Sequence, residues 1–349
     1  MVPKTNLFGL TLDDLQQLCK KEDMPKFAAK QIADWLYKKR SNSIDEMTNL
    51  SLKVRERLKE LYVLEKSLPI DSQTSVDGTK KYLFAVGKNE YIESVYIPDK
   101  DRATLCISSQ IGCKMGCKFC VTGKQGFKGN LSSAQILNQI FSIPESLTLT
   151  NIVYMGMGEP LDNFDSVLKS IQILTSEWGV AMSPRRITVS TVGILPMIRE
   201  FMEKTECHLA VSLHVPFGDK RQELMPMQKP YPHTEILRLL KKYDWSGQRR
   251  LSFEYIVFED FNDDERSSRK LVEILQHLRC RVNLIRFHSS EGVPLEGVSD
   301  DKMIALRDYL TNEGIICTIR ASRGEDIMAA CGLLAGKKIM IDSSIFRIR

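Results

Sequence analysis

Cys113, Cys117 and Cys120 stand in the stretch SSQIGCKMGCKFCVTG with the spacing Cys-x3-Cys-x2-Cys. Three thiolates on one short loop can hold three corners of a cuboidal iron-sulfur cluster. Most such clusters take four cysteines, so one iron is left without a protein ligand. An open metal position is what a catalytic centre needs. Gly112, Gly116 and Gly123 allow the dihedrals that wrapping a metal demands, and Phe119 can shield the centre. Two plainer readings stand beside this one, a structural zinc knuckle and three unrelated thiols. Zinc asks for a fourth Cys or His at finger-like spacing, whereas the next cysteine is Cys207 and the first histidine is His208.

Other residues also have types and settings suited to chemistry. MGMGEPL at 155–161 puts Gly156, Gly158, Glu159 and Pro160 at the end of an apolar run. Glycines there admit close approach to the backbone, and a carboxylate accepts from an ammonium group. AACG at 329–332 sets Cys331 before a glycine and after a basic segment. A thiol in such a place can act as a nucleophile; a small buried residue is the alternative. Glu93 shares a strand face with Tyr91 and Val95, where a lone glutamate ordinarily faces solvent. Cys19, Cys207, Cys280 and Cys317 fall in apolar-patterned segments and read as core.

The elements that must position these groups follow from periodicity. Residues 10–64 read as a helical module: Thr11 suits an N-cap before two acids, and Phe27, Ile32, Trp35 and Leu36 recur at helical spacing. From Leu68 to Val95 the pattern turns to strands, with Asp77-Gly78 and Gly87-Lys88 as turn signals. Thereafter six apolar strands, ATLCISS, TNIVYMGMG, RITVSTVG, HLAVSLHV, LSFEYIVFE and RVNLIRFH, alternate with amphipathic helical segments. This predicts an α/β fold, a parallel sheet with right-handed crossovers forming a partial (β/α)6 barrel, with ligands across the C-terminal strand ends. Ser190, Ser212, Leu213, His214 and His288 fall near those ends. The expected divisions are a helical accessory domain at 1–67, an antiparallel β extension at 68–98, a core at 99–336 and a tail at 337–349.

A chain of 349 residues, 43% hydrophobic and 27% charged, can bury a substantial core. No apolar run is long enough to span a bilayer, and the N-terminus lacks the pattern of a secretory signal. No membrane partner and a cytoplasmic location are therefore expected, with nine cysteines serving metal and redox chemistry. The net charge of +5 is modest, but basic residues group together: Lys38, Lys39 and Arg40; Lys114, Lys118, Lys124 and Lys128 about the cysteine loop; Arg185 and Arg186 before a strand. Such grouping suits a phosphate-bearing substrate, although any one group alone reads as ordinary solvated surface.

Taken in order, ESVYIP at 93–98, RATLCISSQIGC at 102–113, MGMGEPL at 155–161 and AACG at 329–332, with the cysteine triplet, resemble the RlmN/Cfr family of radical S-adenosylmethionine (SAM) enzymes. The resemblance runs from about residue 8 to about residue 336 and implies that the helical module at 1–67 is an accessory RNA-binding domain. It implies a 4Fe-4S cluster on Cys113, Cys117 and Cys120. It implies SAM contacts from Gly158, Glu159, Ser190, Ser212, Leu213, His214 and His288, although His288 stands where the family has asparagine. Met328 and Leu333 also depart from the family's usual text around AACG.

By the same resemblance Cys331 carries the methyl group, Cys106 is its disulfide partner and Glu93 is the general base. The implied activity is methylation of adenine carbon, with two SAM molecules consumed per turnover and a flavodoxin-type external electron donor. The implied partners are 23S rRNA at the peptidyl transferase centre and tRNA at the adenosine next to the anticodon. The target base must leave its stack to be reached. GEP at 158–160 points to carbon 2, with Cfr-type carbon 8 methylation and a non-enzymatic metal-containing RNA-binding protein as alternatives. A monomer is expected.

Overall fold

A computed structural model describes residues 4–289 and 293–336. The expected tail at 337–349 lies outside the described residues. Strand β1 (Thr5–Asn6) pairs in parallel with β2 (Tyr62–Val63), closing a module that holds α1 (Leu12–Lys21), α2 (Ala28–Ala33) and α3 (Leu52–Leu61). Thr11 caps α1 as its residue type predicts. Its Oγ1 accepts the Asp14 N–H at 3.2 Å, while Asp14 Oδ2 accepts the Thr11 N–H at 3.0 Å. Asp14 is also held by Lys169 Nζ at 2.9 Å, and Phe8 meets Phe141 edge-on at 5.2 Å, so the module packs against the core.

The antiparallel strands β3 (Asp71–Thr74), β4 (Lys80–Gly87) and β5 (Glu90–Asp99) lead into β6 (Arg102–Cys106). They do not form a sheet of their own. Val95 pairs with Cys106, so β5 joins β6 and one ten-stranded sheet runs through both regions. A short hairpin, β7 (Gln110–Gly112) with β8 (Phe127–Asn130), brackets the cysteine loop and the single turn α4 (Val121–Lys124).

Beyond it come α5 (Ser133–Phe141), β9 (Asn151–Tyr154), α6 (Phe164–Thr175), β10 (Ile187–Thr191), α7 (Leu195–Lys204) and β11 (His208–Ser212). Then follow α8 (Gly218–Leu224), α9 (His233–Leu240), β12 (Leu251–Val257), α10 (Glu265–Leu275), β13 (Arg281–Arg286), α11 (Asp300–Asn312) and β14 (Ile316–Ile319). The parallel order is β6-β9-β10-β11-β12-β13-β14, an open sheet whose inner strands bury most of their apolar residues. Leu209, Ala210 and Val211 are buried in succession, as expected of a parallel strand covered on both faces. The expectation of six parallel strands undercounts the described residues by one. Residues 316–319 pair with β13 because α11, capped by Ser299, supplies a further crossover.

Candidate active site

The cysteine loop rises from the β7–β8 hairpin. Gly112 has φ +71°, and a Cβ there would stand 1.8 Å from Gly126 O, so only glycine fits. Backbone bonds then fix the loop: Cys113 N–H donates to Gly126 O at 3.1 Å and Cys120 N–H to Cys117 O at 3.1 Å. The C-terminal segment lies directly on it. Val121 N–H donates to Gly332 O at 2.8 Å, and Thr122 Oγ1 donates to Leu334 O at 2.7 Å.

One cavity brings together Cys113, Cys117, Cys120, Cys106 and Cys331. The strand-end residues Gly158, Glu159, Ser190, Ser212 and His214 line the same cavity. Every cysteine is a free thiol; Cys106 is buried and Cys331 exposed. Burial pushes the Cys113 and Cys106 thiols up to about 12 and Cys117 well above its ordinary value. A bound metal reverses that balance for the three loop thiols by holding them as thiolates. Among the described residues no three His, Cys, Asp or Glu groups converge on a single-ion site. A cuboidal cluster does not require convergence, since each cysteine binds its own iron. Three inward thiols on a loop fixed by backbone bonds fit that group.

Glu159 is 3% exposed. Its Oε1 accepts the Leu161 N–H at 3.1 Å and its Oε2 the Val192 N–H at 2.8 Å, joining the end of β9 to the end of β10. Burial raises its carboxyl to about 7, so a cationic partner is well accommodated. Gly158, at φ +97°, packs so closely that a Cβ would lie 2.5 Å from Gln110 Cβ. His214 is buried at φ +55°, accepts the Ile256 N–H through Nδ1 at 3.0 Å and meets the Phe119 ring edge-on at 4.9 Å.

Three of the residues that the sequence singled out lie elsewhere. Leu213 turns its side chain into the core and offers backbone only: its N–H donates to Glu254 O and its O accepts from Arg221 Nε at 3.0 Å. His288 lines an adjoining channel, with Nε2 2.8 Å from Ser322 Oγ. Glu93 is 4% exposed rather than solvent-facing, because β5 is an inner strand of the continuous sheet. Its Oε2 accepts from Ala335 N–H at 2.7 Å and Gly336 N–H at 3.0 Å, and its Oε1 lies 3.4 Å from Lys81 Nζ.

Two charged residues, one behind the strand ends and one lining the cavity, carry no local sequence signal. Arg221, 0% exposed, donates to the carbonyls of Val192, Ser212 and Leu213 at 2.9–3.0 Å, stapling strand ends β10 and β11. Arg320 Nη1 stands 3.4 Å from Glu254 Oε2, and both residues line the cavity with Cys331. In GDKRQEL, Arg221 reads as a solvated helix residue. Glu254, a lone carboxylate in a buried apolar strand, was the available clue to its pairing with Arg320.

Comparison with known proteins agrees with this geometry. Residues 5–64 match the ribosomal RNA large subunit methyltransferase N-terminal domain, and residues 107–272 match the radical SAM superfamily. The chain is 59% identical, over 96% of its length and 96% of the relative's, to the probable dual-specificity RNA methyltransferase RlmN of Phocaeicola vulgatus. It is 41% identical to the dual-specificity RNA methyltransferase RlmN of Syntrophus aciditrophicus, over 96% of this chain and 98% of that one. Its fold matches a crystal structure of a radical SAM methyltransferase from Sphaerobacter thermophilus, with TM-score 0.88, 36% identity, and coverage of 95% of this chain and 100% of that one.

Proposed function

The chain belongs to the RlmN family of radical SAM RNA methyltransferases, and from that premise we propose that it methylates carbon 2 of adenosine at two kinds of site. These are one adenosine of 23S rRNA at the peptidyl transferase centre and the adenosine next to the anticodon in tRNAs. The observation that carries the reading is the single cavity shared by Cys331 and the Cys113-Cys117-Cys120 loop. Adenine carbon 2 is electrophilic and has no lone pair, so it cannot simply displace the electrophilic methyl of SAM. A sulfur that first accepts the methyl group and then presents it to the base removes that difficulty.

Cys113, Cys117 and Cys120 would hold the cluster. Glu159 and Gly158 would receive the amino end of SAM, with Ser190, Ser212, His214 and the Leu213 backbone along the remainder. His288, placed in the adjoining channel, would reach only the edge of that site. When bound, the cluster supplies the electron that splits SAM and so opens radical chemistry at the methyl carbon. Cys331 takes a methyl group from a first SAM by displacement. Glu93 takes the proton from the adenine carbon, and Cys106 attacks the Cys331 sulfur, freeing the methylated RNA as the two sulfurs join. The reducing equivalents come from an external flavodoxin-type donor. We place the enzyme in the cytoplasm as a monomer; no helix among the described residues is long and apolar enough to cross a membrane.

Nucleoside analysis of RNA from cells carrying and lacking the gene tests the proposal. Gene-dependent 2-methyladenosine in rRNA and tRNA is expected. Gene-dependent 8-methyladenosine alone would overturn the choice of carbon.

A further inference from the structure

Arg221 is fully buried, and every one of its hydrogen-bond partners is neutral. Nε donates to Leu213 O at 3.0 Å, Nη2 to Ser212 O at 2.9 Å and to Val192 O at 3.0 Å, and Nη1 to Gln228 Oε1 at 2.7 Å. Among the described residues no carboxylate is paired with it. Other cations about the site do have anions: Lys81 Nζ lies 3.4 Å from Glu93 Oε1, and Arg320 Nη1 3.4 Å from Glu254 Oε2. Neutral acceptors satisfy N–H groups without cancelling the charge, and a buried cation without its anion carries a large desolvation cost.

The packing of α8 points to the anion. This helix and the turn after it lie on the cysteine loop: Lys118 N–H donates to Leu224 O at 2.9 Å, and a Cβ at Gly116 would stand 3.6 Å from Pro226 Cγ. Burial presses the Arg221 pKa down to about 10, and the group that opposes burial and favours its charge is Cys117. The uncancelled field shows at His233, which burial first and Arg221 next push down to about 4. A 4Fe-4S core held by three thiolates is an anion that becomes more negative on taking an electron, and its potential follows the net charge around it. The loop's own cations are less effective: Lys114 and Lys118 are exposed to screening solvent, and Lys114 is already paired with Asp162.

We propose that Arg221 is the buried counter-cation of the cluster, a positioning residue that fixes the ends of β10 and β11 and raises the potential at which the cluster accepts its electron. A fixed positive charge favours the reduced, more negative state and so eases transfer from an external one-electron donor. Burial leaves this charge unscreened by water and salt. The proposal rests on the assignment of the cluster to Cys113, Cys117 and Cys120 and is independent of which carbon of the RNA is methylated.

The test is a redox titration of the full-length enzyme, its cluster reconstituted anaerobically, followed by electron paramagnetic resonance without SAM or RNA. Arg221→Gln should lower the ratio of reduced to oxidised cluster about tenfold at a fixed ambient potential, a midpoint about 59 mV more negative for a one-electron couple. Arg221→Lys keeps the charge and loses the fork, so its midpoint should stay near wild type while SAM binds more weakly. Gln228→Glu keeps the hydrogen bond to Arg221 and supplies the carboxylate that the site lacks. With the scaffold intact, it should shift the midpoint in the same direction as Arg221→Gln, and it decides alone should Arg221→Gln fail to fold. A wild-type midpoint in Gln228→Glu would overturn the proposal, as would equal shifts in Arg221→Gln and Arg221→Lys. A wild-type enzyme that reconstitutes without a 4Fe-4S signal would instead overturn the cluster assignment, and the proposal with it.

Discussion

Glu93 Oε2 accepts the backbone N–H of Ala335 at 2.7 Å, four residues beyond Cys331 in the chain. The carboxylate proposed to remove the proton therefore holds the segment that carries Cys331, the proposed methyl carrier, with Gly336 N–H as a second donor. Glu93→Gln keeps an acceptor oxygen for that segment and loses the base. RNA methylation should fall by about 10²- to 10⁴-fold, the usual contribution of general-base catalysis, while SAM-dependent methylation of Cys331 continues. Mass spectrometry of the Cys331 peptide beside an RNA assay checks both arms. Equal loss of the two would show that Glu93 serves only to hold the segment.

Gly158→Ala should weaken SAM binding. The backbone there is at φ +97°, and a Cβ would collide with Gln110 Cβ at 2.5 Å and Gln110 N at 2.7 Å. Gln110 cannot yield freely, because its Oε1 accepts the Glu159 N–H at 2.8 Å and its Nε2 donates to Asp162 at 2.7 Å. Calorimetry with SAM should show at least about a tenfold weaker site, equivalent to roughly 1.4 kcal/mol. Unchanged affinity would remove this loop from the SAM site.

Acid should destabilise the fold through His214. Burial, aided by Arg221, presses its pKa from 6.5 down to about 3, and its Nδ1 must stay unprotonated to accept the Ile256 N–H. Below pH 6.5 the unfolded chain binds a proton here that the folded chain does not. The contribution is thus complete above pH 6.5 and declines as the pH falls towards 3, amounting to about 2 kcal/mol by pH 5. Denaturant midpoints of wild type and His214→Gln at both ends of that window should converge in acid. An identical pH response in the two proteins would contradict the assignment.

Arg320 should govern the reactivity of Cys106, which shares the cavity with it. Burial opposes its charge, but Cys331, Glu254 and Cys106 outweigh that and hold its pKa above the ordinary arginine value. Arg320→Gln should slow release of methylated RNA about tenfold near neutrality, because the Cys106 thiol, pushed up by burial, loses the guanidinium that partly offsets it. It should also displace the pH profile of that step upwards. Glu254→Gln in the same protein removes the carboxylate left without its cation, so folding can be kept apart from reactivity. Arg320→Lys should restore the profile in part, whereas a profile indifferent to all three variants would rule the role out.

The legible parts of this protein were those written as local patterns. A loop that wraps a metal needs its cysteines and glycines close together in sequence, so spacing alone pointed to Cys113, Cys117 and Cys120, which the structure places on one cavity wall. Apolar strands alternating with amphipathic helices disclosed the parallel sheet. Interactions between distant segments were not legible. Arg221 is buried because three strand-end carbonyls from two separate strands surround it, and nothing in GDKRQEL announces those partners. Glu93 is buried because β5 pairs with β6 on one side and β4 on the other.

The central claim is that Cys331 carries the methyl group between SAM and RNA inside the cavity of the three-cysteine loop. The most direct measurement incubates the reduced holoenzyme anaerobically with methyl-labelled SAM, then with unlabelled SAM and substrate RNA, following label on the Cys331 peptide and on adenosine. The account predicts label first on Cys331 and afterwards on carbon 2 of adenosine, with none on RNA in Cys331→Ser. Labelled adenosine formed by Cys331→Ser at the wild-type rate would contradict it.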